Sequence, residues 1–178
     1  VKIPWSKWIN FVVLLIFLAF LAGLQSTFWF QLFGTVPAPM LWLCLIVYVA
    51  LYRKLYAALF MIYIMALALT GFTAMPLKML FINLLVVYLI LYSIRSRVFW
   101  EGPAYYTIMC TLAAFSYHVT YLVSSWLLER NPAPLDLLER LIQLALTPAF
   151  GIPLFWLLTR IDKATLPELS PDSGGLDL

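Results

Sequence analysis

The chain has 178 residues, 65% of them hydrophobic and 11% charged, with a mean hydropathy of +0.98 and a formal charge of +3. A soluble domain is about half apolar and about a quarter charged, so this composition excludes a soluble globular protein and requires an integral membrane protein. The positive balance does not point to nucleic acid, because the basic residues sit in pairs at the ends of apolar runs and form no patch with interleaved aromatics.

Residues 1 to 8, VKIPWSKW, form a short basic and aromatic lead. The apolar run from 9 to 33 is longer than the apolar core of a signal peptide, about 7–15 residues, and predicts a retained first span. Gln25, Ser26 and Thr27 fall late in that run, where they can face neighbouring helices or the outer interface. A turn with Pro37 and Pro39 leads into a second apolar run, 40 to 52. The basic pair Arg53-Lys54 separates this run from a third, 55 to 74. Lys and Arg concentrate on the cytoplasmic side of spans, so the pair predicts a cytoplasmic turn, and the rest of the topology follows from it. The second run is short against the roughly 20 residues a span needs, and Arg53 is expected to lengthen it by snorkelling. A fourth span is predicted over 77–93, a fifth over 104–128 and a sixth over 141–159, with Pro148 and Pro153 expected to kink the last. Residues 164–178 are Pro and Gly rich and acidic, and predict a disordered cytoplasmic tail.

Charge counting separates six spans from five. With six spans and the N-terminus inside, the cytoplasmic side holds Lys2, Lys7, Arg53, Lys54, Arg95, Arg97, Arg160 and Lys163, against Lys78, Arg130 and Arg140 outside. If the second run turned back as a re-entrant segment, the balance would be five inside against six outside, contrary to the positive-inside rule. The predicted architecture is therefore all-α, with six transmembrane helices and both termini in the cytoplasm. Trp5, Trp8, Trp100 and Trp126 lie near span ends, where aromatic anchors collect.

Candidates for chemistry are few. An ionisable group inside a bilayer is a functional candidate because facing lipid costs several kcal/mol. His118, the single histidine, falls near the middle of the fifth span. It reads either as a proton or ligand contact in a cavity or as a packing residue bonded to another helix. Lys78 reads as a residue snorkelling outward or holding an anionic headgroup. Asn83 and Gln143 read as interhelical glue or as ligand contacts. Asp136 and Arg140, four apart, can pair across one helical turn. Ser116, Thr120, Ser124 and Ser125 can bond back to their own helix. Cys44 and Cys110 lie singly in apolar runs, a pattern for neither a disulfide framework nor a metal site. No zinc-protease, serine-hydrolase or phosphate-loop motif is present, so neither catalysis nor a cofactor is expected.

The order of six short spans, the late Gln25-Ser26 pair, the segment PAPMLWLCLIVYVAL before a basic turn and the closing LTPAFGIPLFWLLTRID together resemble the MreD family of bacterial rod shape-determining membrane proteins. The resemblance covers about residues 9 to 163. It implies a non-enzymatic inner-membrane scaffold that binds the single-span protein MreC and helps couple the MreB cytoskeleton to the elongation peptidoglycan polymerase and transpeptidase. It also implies a fold similar to the substrate-binding subunit of energy-coupling-factor transporters. One departure stands out: the family's third span ends with Gly and Asp, and here ALALTGFTAMPLKML keeps Gly71 but has no Asp. The alternative function, a vitamin- or small-molecule-binding subunit of such a transporter, would use an Ala-x-x-x-Ala face on the first span. Ala19 and Ala22 are three apart, so that motif is absent.

Overall fold

A computed structural model describes residues 5–95, 97, 102–129 and 136–166. The described residues are all-helical with no strand among them, in six helices. Helix α1 is Trp5–Phe33, with a π-helical turn at Leu24–Phe28. The others are α2 (Leu41–Tyr52), α3 (Leu55–Leu69), α4 (Leu77–Arg95), α5 (Pro103–Leu128) and α6 (Leu137–Thr165). Four of them, α1, α4, α5 and α6, are long and apolar enough to cross a membrane. Helices α2 and α3 have 12 and 15 residues, about 18 and 22 Å at 1.5 Å per residue.

The π turn takes in Gln25, Ser26 and Thr27. A π turn adds a residue to one turn and re-aims the side chains that follow. Here Trp29 follows, buried, with its ring on Phe33 and Phe150 and its indole N–H donated to the Val36 carbonyl at 3.0 Å. That bond folds the link after α1 back on the helix. Gly34, at φ 58°, supplies the left-handed residue that stops α1.

Helix α2 occupies the centre and packs against all five other helices. Ten of its twelve residues, Leu41 and Leu43 to Leu51, are buried. A helix that is apolar all round is expected inside a bundle. Buried helix ends need partners for their free backbone groups, and neighbouring helices supply them. Thr147 of α6 accepts the Met40 N–H at 3.1 Å at the start of α2. Arg95 of α4 donates to the Ala50 and Arg53 carbonyls at 3.2 and 2.9 Å at its end, where a cation also suits the helix dipole. Helix α2 is therefore enclosed by the five other helices and does not face lipid.

Helices α5 and α6 run antiparallel in close contact. A Cβ built on Gly151 would lie 3.4 Å from the Thr107 hydroxyl and 3.6 Å from its Cα, so glycine lets the two backbones approach. Pro148 and Pro153 lie inside α6, which runs through both as one helix. Large apolar side chains stand exposed on α1 (Val12, Ile16, Phe20) and on α5 (Phe115, Val119, Trp126), as lipid-facing surfaces do.

Several boundaries differ from expectation. Helix α6 begins at Leu137 and runs to Thr165, so Ala164 and Thr165, expected in the tail, are helical. Helix α3 stops at Leu69, where the Thr70 hydroxyl bonds the Leu67 carbonyl at 2.6 Å. The rest of the expected tail, the loops around Trp100 and after Glu129, Lys2 and Arg130 all lie outside the described residues.

Candidate functional site

Two polar clusters stand at opposite ends of α6. The first centres on Asp162, which is fully buried. One carboxylate oxygen accepts from Arg53 Nη2 at 2.6 Å and from Asn10 Nδ2 at 2.8 Å, and the other accepts from the Tyr48 hydroxyl at 2.9 Å. Asn10 also accepts from Arg53 at 3.0 Å and donates to the Thr165 hydroxyl at 2.7 Å. The start of α1, the end of α2 and the end of α6 are thereby tied together, and Arg95 adds the end of α4. Such a pair survives burial only when further hydrogen bonds satisfy both charges, and three donors on one carboxylate do that.

This corrects the reading of Arg53 as a snorkelling anchor. Arg53 is buried and turned inward to Asp162, while its neighbour Lys54 is exposed. Arg95 is also drawn onto the carbonyls of α2. Arg97, Arg160 and Lys163 are exposed. Asp162, Asn10 and Tyr48 were not anticipated. The available signal was an acid between two basic residues, in Arg160-Ile161-Asp162-Lys163, at the end of an apolar helix.

The second cluster lies about 33 Å further along α6, at 1.5 Å per residue. Arg140 Nη1 is 3.3 Å from His118 Nδ1, and its guanidinium carbon is 5.3 Å from the centroid of the Tyr121 ring, within cation–π range. Among the described residues no side-chain ion pair joins Asp136 and Arg140; instead the Arg140 backbone N–H bonds the Asp136 carbonyl at 3.2 Å. A cavity of about 220 Å³ opens here between His118 and Tyr121 of α5 and Asp136, Glu139, Arg140 and Gln143 at the start of α6. Met40 completes its lining. The cavity brings together two of the sequence candidates, His118 and Gln143. Glu139, on the next helix, lines the same cavity as His118.

The other two candidates lie apart from it. Asn83, fully buried on α4, accepts from the Ser124 hydroxyl of α5 at 2.6 Å and lies 3.8 Å from the Met75 sulfur. Lys78 is exposed. Thr120 and Ser124 bond back to the carbonyls four residues earlier. A smaller cavity of about 140 Å³ adjoins the π turn of α1, lined by Gln25, Ser26, Trp42 and Tyr117 among others. Cys44 and Cys110 are free and buried. Among the described residues no group of three or more His, Cys, Asp or Glu is placed to hold a metal ion.

No protein-family model, no curated protein and no solved structure matches the chain.

Proposed function

We propose that the protein is a six-crossing, non-enzymatic scaffold of the bacterial inner membrane, with the ends of α1 and α6 that meet at Asp162 facing the cytoplasm. The observation that supports a scaffold is the filled centre. A wholly apolar helix occupies the position where a channel or carrier would place a polar path, and the buried charges at the Asp162 end bind one another. A solid bundle of this kind acts through its lipid-facing surface.

Six crossings are supported by which helix ends meet. Asn10 near the start of α1, Arg53 after α2, Arg95 at the end of α4 and Asp162 near the end of α6 are joined by hydrogen bonds. A re-entrant α2 would return to the face where α1 ends instead. Lys7, Lys54, Arg97, Arg160 and Lys163 collect at the Asp162 end and Lys78 and Arg140 at the other, a balance that supports the Asp162 end as the cytoplasmic one by the positive-inside rule.

The partner reading follows the resemblance to the MreD family. The protein binds an MreC-like single-span protein along an exposed apolar face and so helps couple the MreB cytoskeleton to the elongation polymerase and transpeptidase. Co-expression with the single-span protein and purification in mild detergent is expected to yield a stoichiometric complex, and depletion is expected to round rod-shaped cells. Separate elution together with unchanged cell shape would overturn the reading.

A further inference from the structure

The seam between α1 and α3 carries charge at one level and aromatic rings at the next. Phe11 of α1 meets Phe60 of α3 at 6.0 Å between ring centroids, and Trp8 packs edge-on to Phe11 at 6.2 Å. Residues four apart share a face of a helix, so Lys7 stands one turn from Phe11 and Tyr56 one turn from Phe60 on the faces that meet. Both steps lead towards the Asp162 end, because α1 and α3 both start there. Asn10 accepts from Arg53 at 3.0 Å, and Lys54 follows Arg53 immediately before α3. Lys7, Lys54 and Tyr56 are exposed, and Phe60 stays 53% exposed beside Phe11, so the seam is open on its outer side. No described residue at this end offsets the two ammonium groups. Asp162 is buried and bound to Arg53, and among the described residues the exposed charges at this end, Lys7, Lys54, Arg97, Arg160 and Lys163, are all positive. A soluble anion would gain nothing from the rings, and a neutral acyl chain nothing from the lysines.

We propose that the α1–α3 seam binds an anionic phospholipid, with its phosphodiester on Lys7 and Lys54 and an acyl chain against Phe11 and Phe60. Basic groups between helices at a membrane surface hold anionic headgroups in this way. Tyr56 stands at the headgroup level, where aromatic residues with a polar tip collect. Tyr63 and Leu67, also exposed, continue the Phe60 face of α3 and extend the track for the chain. The site is independent of the scaffold reading, because it needs only that the two helices lie in a bilayer.

The test is native mass spectrometry of the full chain released from nanodiscs holding dioleoylphosphatidylglycerol and dioleoylphosphatidylcholine in equal amounts. A lysine beside an anionic headgroup is worth about fivefold in binding, so two should retain the glycerol lipid about 25-fold over the choline lipid. Lys7→Gln and Lys54→Gln should each lower that ratio about fivefold, and together bring it close to parity. Lys7→Arg with Lys54→Arg should keep it. Arg160→Gln is the control for a diffuse positive field: two residues from Asp162, Arg160 projects from the opposite side of α6, and its loss should leave the ratio unchanged. Equal retention of the two lipids by the parent chain, a ratio unchanged in the double glutamine variant, or a fall in Arg160→Gln as large as in either seam variant overturns the proposal. So does an acidic protein that copurifies through Lys7 and Lys54 and excludes the glycerol lipid. If the double glutamine variant does not insert, the two single variants decide.

Discussion

The two ends of α6 hold similar residues in opposite states. At one end the Asp162 carboxylate takes three donors, and Arg53 shares its bonds between Asp162 and Asn10. At the other, Arg140 and His118 meet each other, and His118 Nε2 and Arg140 Nε are buried without a hydrogen-bond partner among the described residues. The difference separates structure from opportunity. A saturated polar cluster in a low-dielectric bundle fixes which helix ends meet, and it has no valence left for a ligand. An unsaturated one stabilises the fold less, because its remaining donors stay unmet.

The comparison is broken most forcefully at Asp162. Asp162→Ala strands a buried guanidinium, and removing one partner of such a pair costs about 3–5 kcal/mol. The variant should unfold at markedly lower denaturant in SDS titration from mixed micelles. Replacing both partners, Arg53→Met with Asp162→Leu, removes both charges and should recover part of that loss; Tyr48 and Asn10 still lose the carboxylate they donate to, about 1–3 kcal/mol for a buried donor left unmet. A double variant as unstable as either single would mean that Asp162 matters for something other than balancing Arg53.

The contact between the two ends comes next. Gly151→Leu pushes a side chain into the Thr107 backbone, and overpacking of this kind costs about 1–3 kcal/mol. Gly151→Ala should stay near neutral, since the helix propensity gained over glycine, up to about 1 kcal/mol, offsets a tight but ordinary contact. Ser124→Ala is smaller again. It removes the hydroxyl that reaches Asn83 across α4 and α5, and interhelical hydrogen bonds in membrane proteins average about 0.6 kcal/mol and reach about 1.7. Both are read by the same titration, and a Ser124→Ala loss above that range would place Asn83 in a larger network.

Much of the bundle was legible because its rules are local. Apolar runs broken by Gly, Pro and basic pairs located six helices, each end to within six residues, and Asn83 stood out as a polar group in an apolar helix. The central place of α2 was legible in principle. Twelve residues apolar on every face are short for a span and suit a core helix, yet the basic pair after it drew attention to topology instead. The Asp162 cluster was not legible. Arg53 and Asp162 are 109 residues apart, and each sits among exposed basic residues at a helix end, so hydropathy treats both as interface groups. Only packing brings Asn10, Tyr48 and Asp162 to one point. The Arg140 cavity was hidden for a related reason: its histidine and its acids lie on different helices, and depth counted along one helix says little about neighbours on the next.

The finest test of the comparison is His118→Leu. Two opposing effects of similar size are expected. The substitution loses the Arg140 contact, worth about 1 kcal/mol for a typical hydrogen bond, and it also removes a buried donor that had no acceptor, whose desolvation costs about 1–3 kcal/mol. Arg140 keeps the Tyr121 ring on one side and the open cavity on the other, so it is not stranded as Arg53 would be. The two leave a net change between about zero and a gain of about 2 kcal/mol, the opposite direction to the loss at Asp162, while the same residue change at a saturated cluster would be severe. An SDS midpoint that falls as far as in Asp162→Ala would show that the Arg140 end is as structural as the other, and the contrast between saturated and open clusters would fail at its own test site.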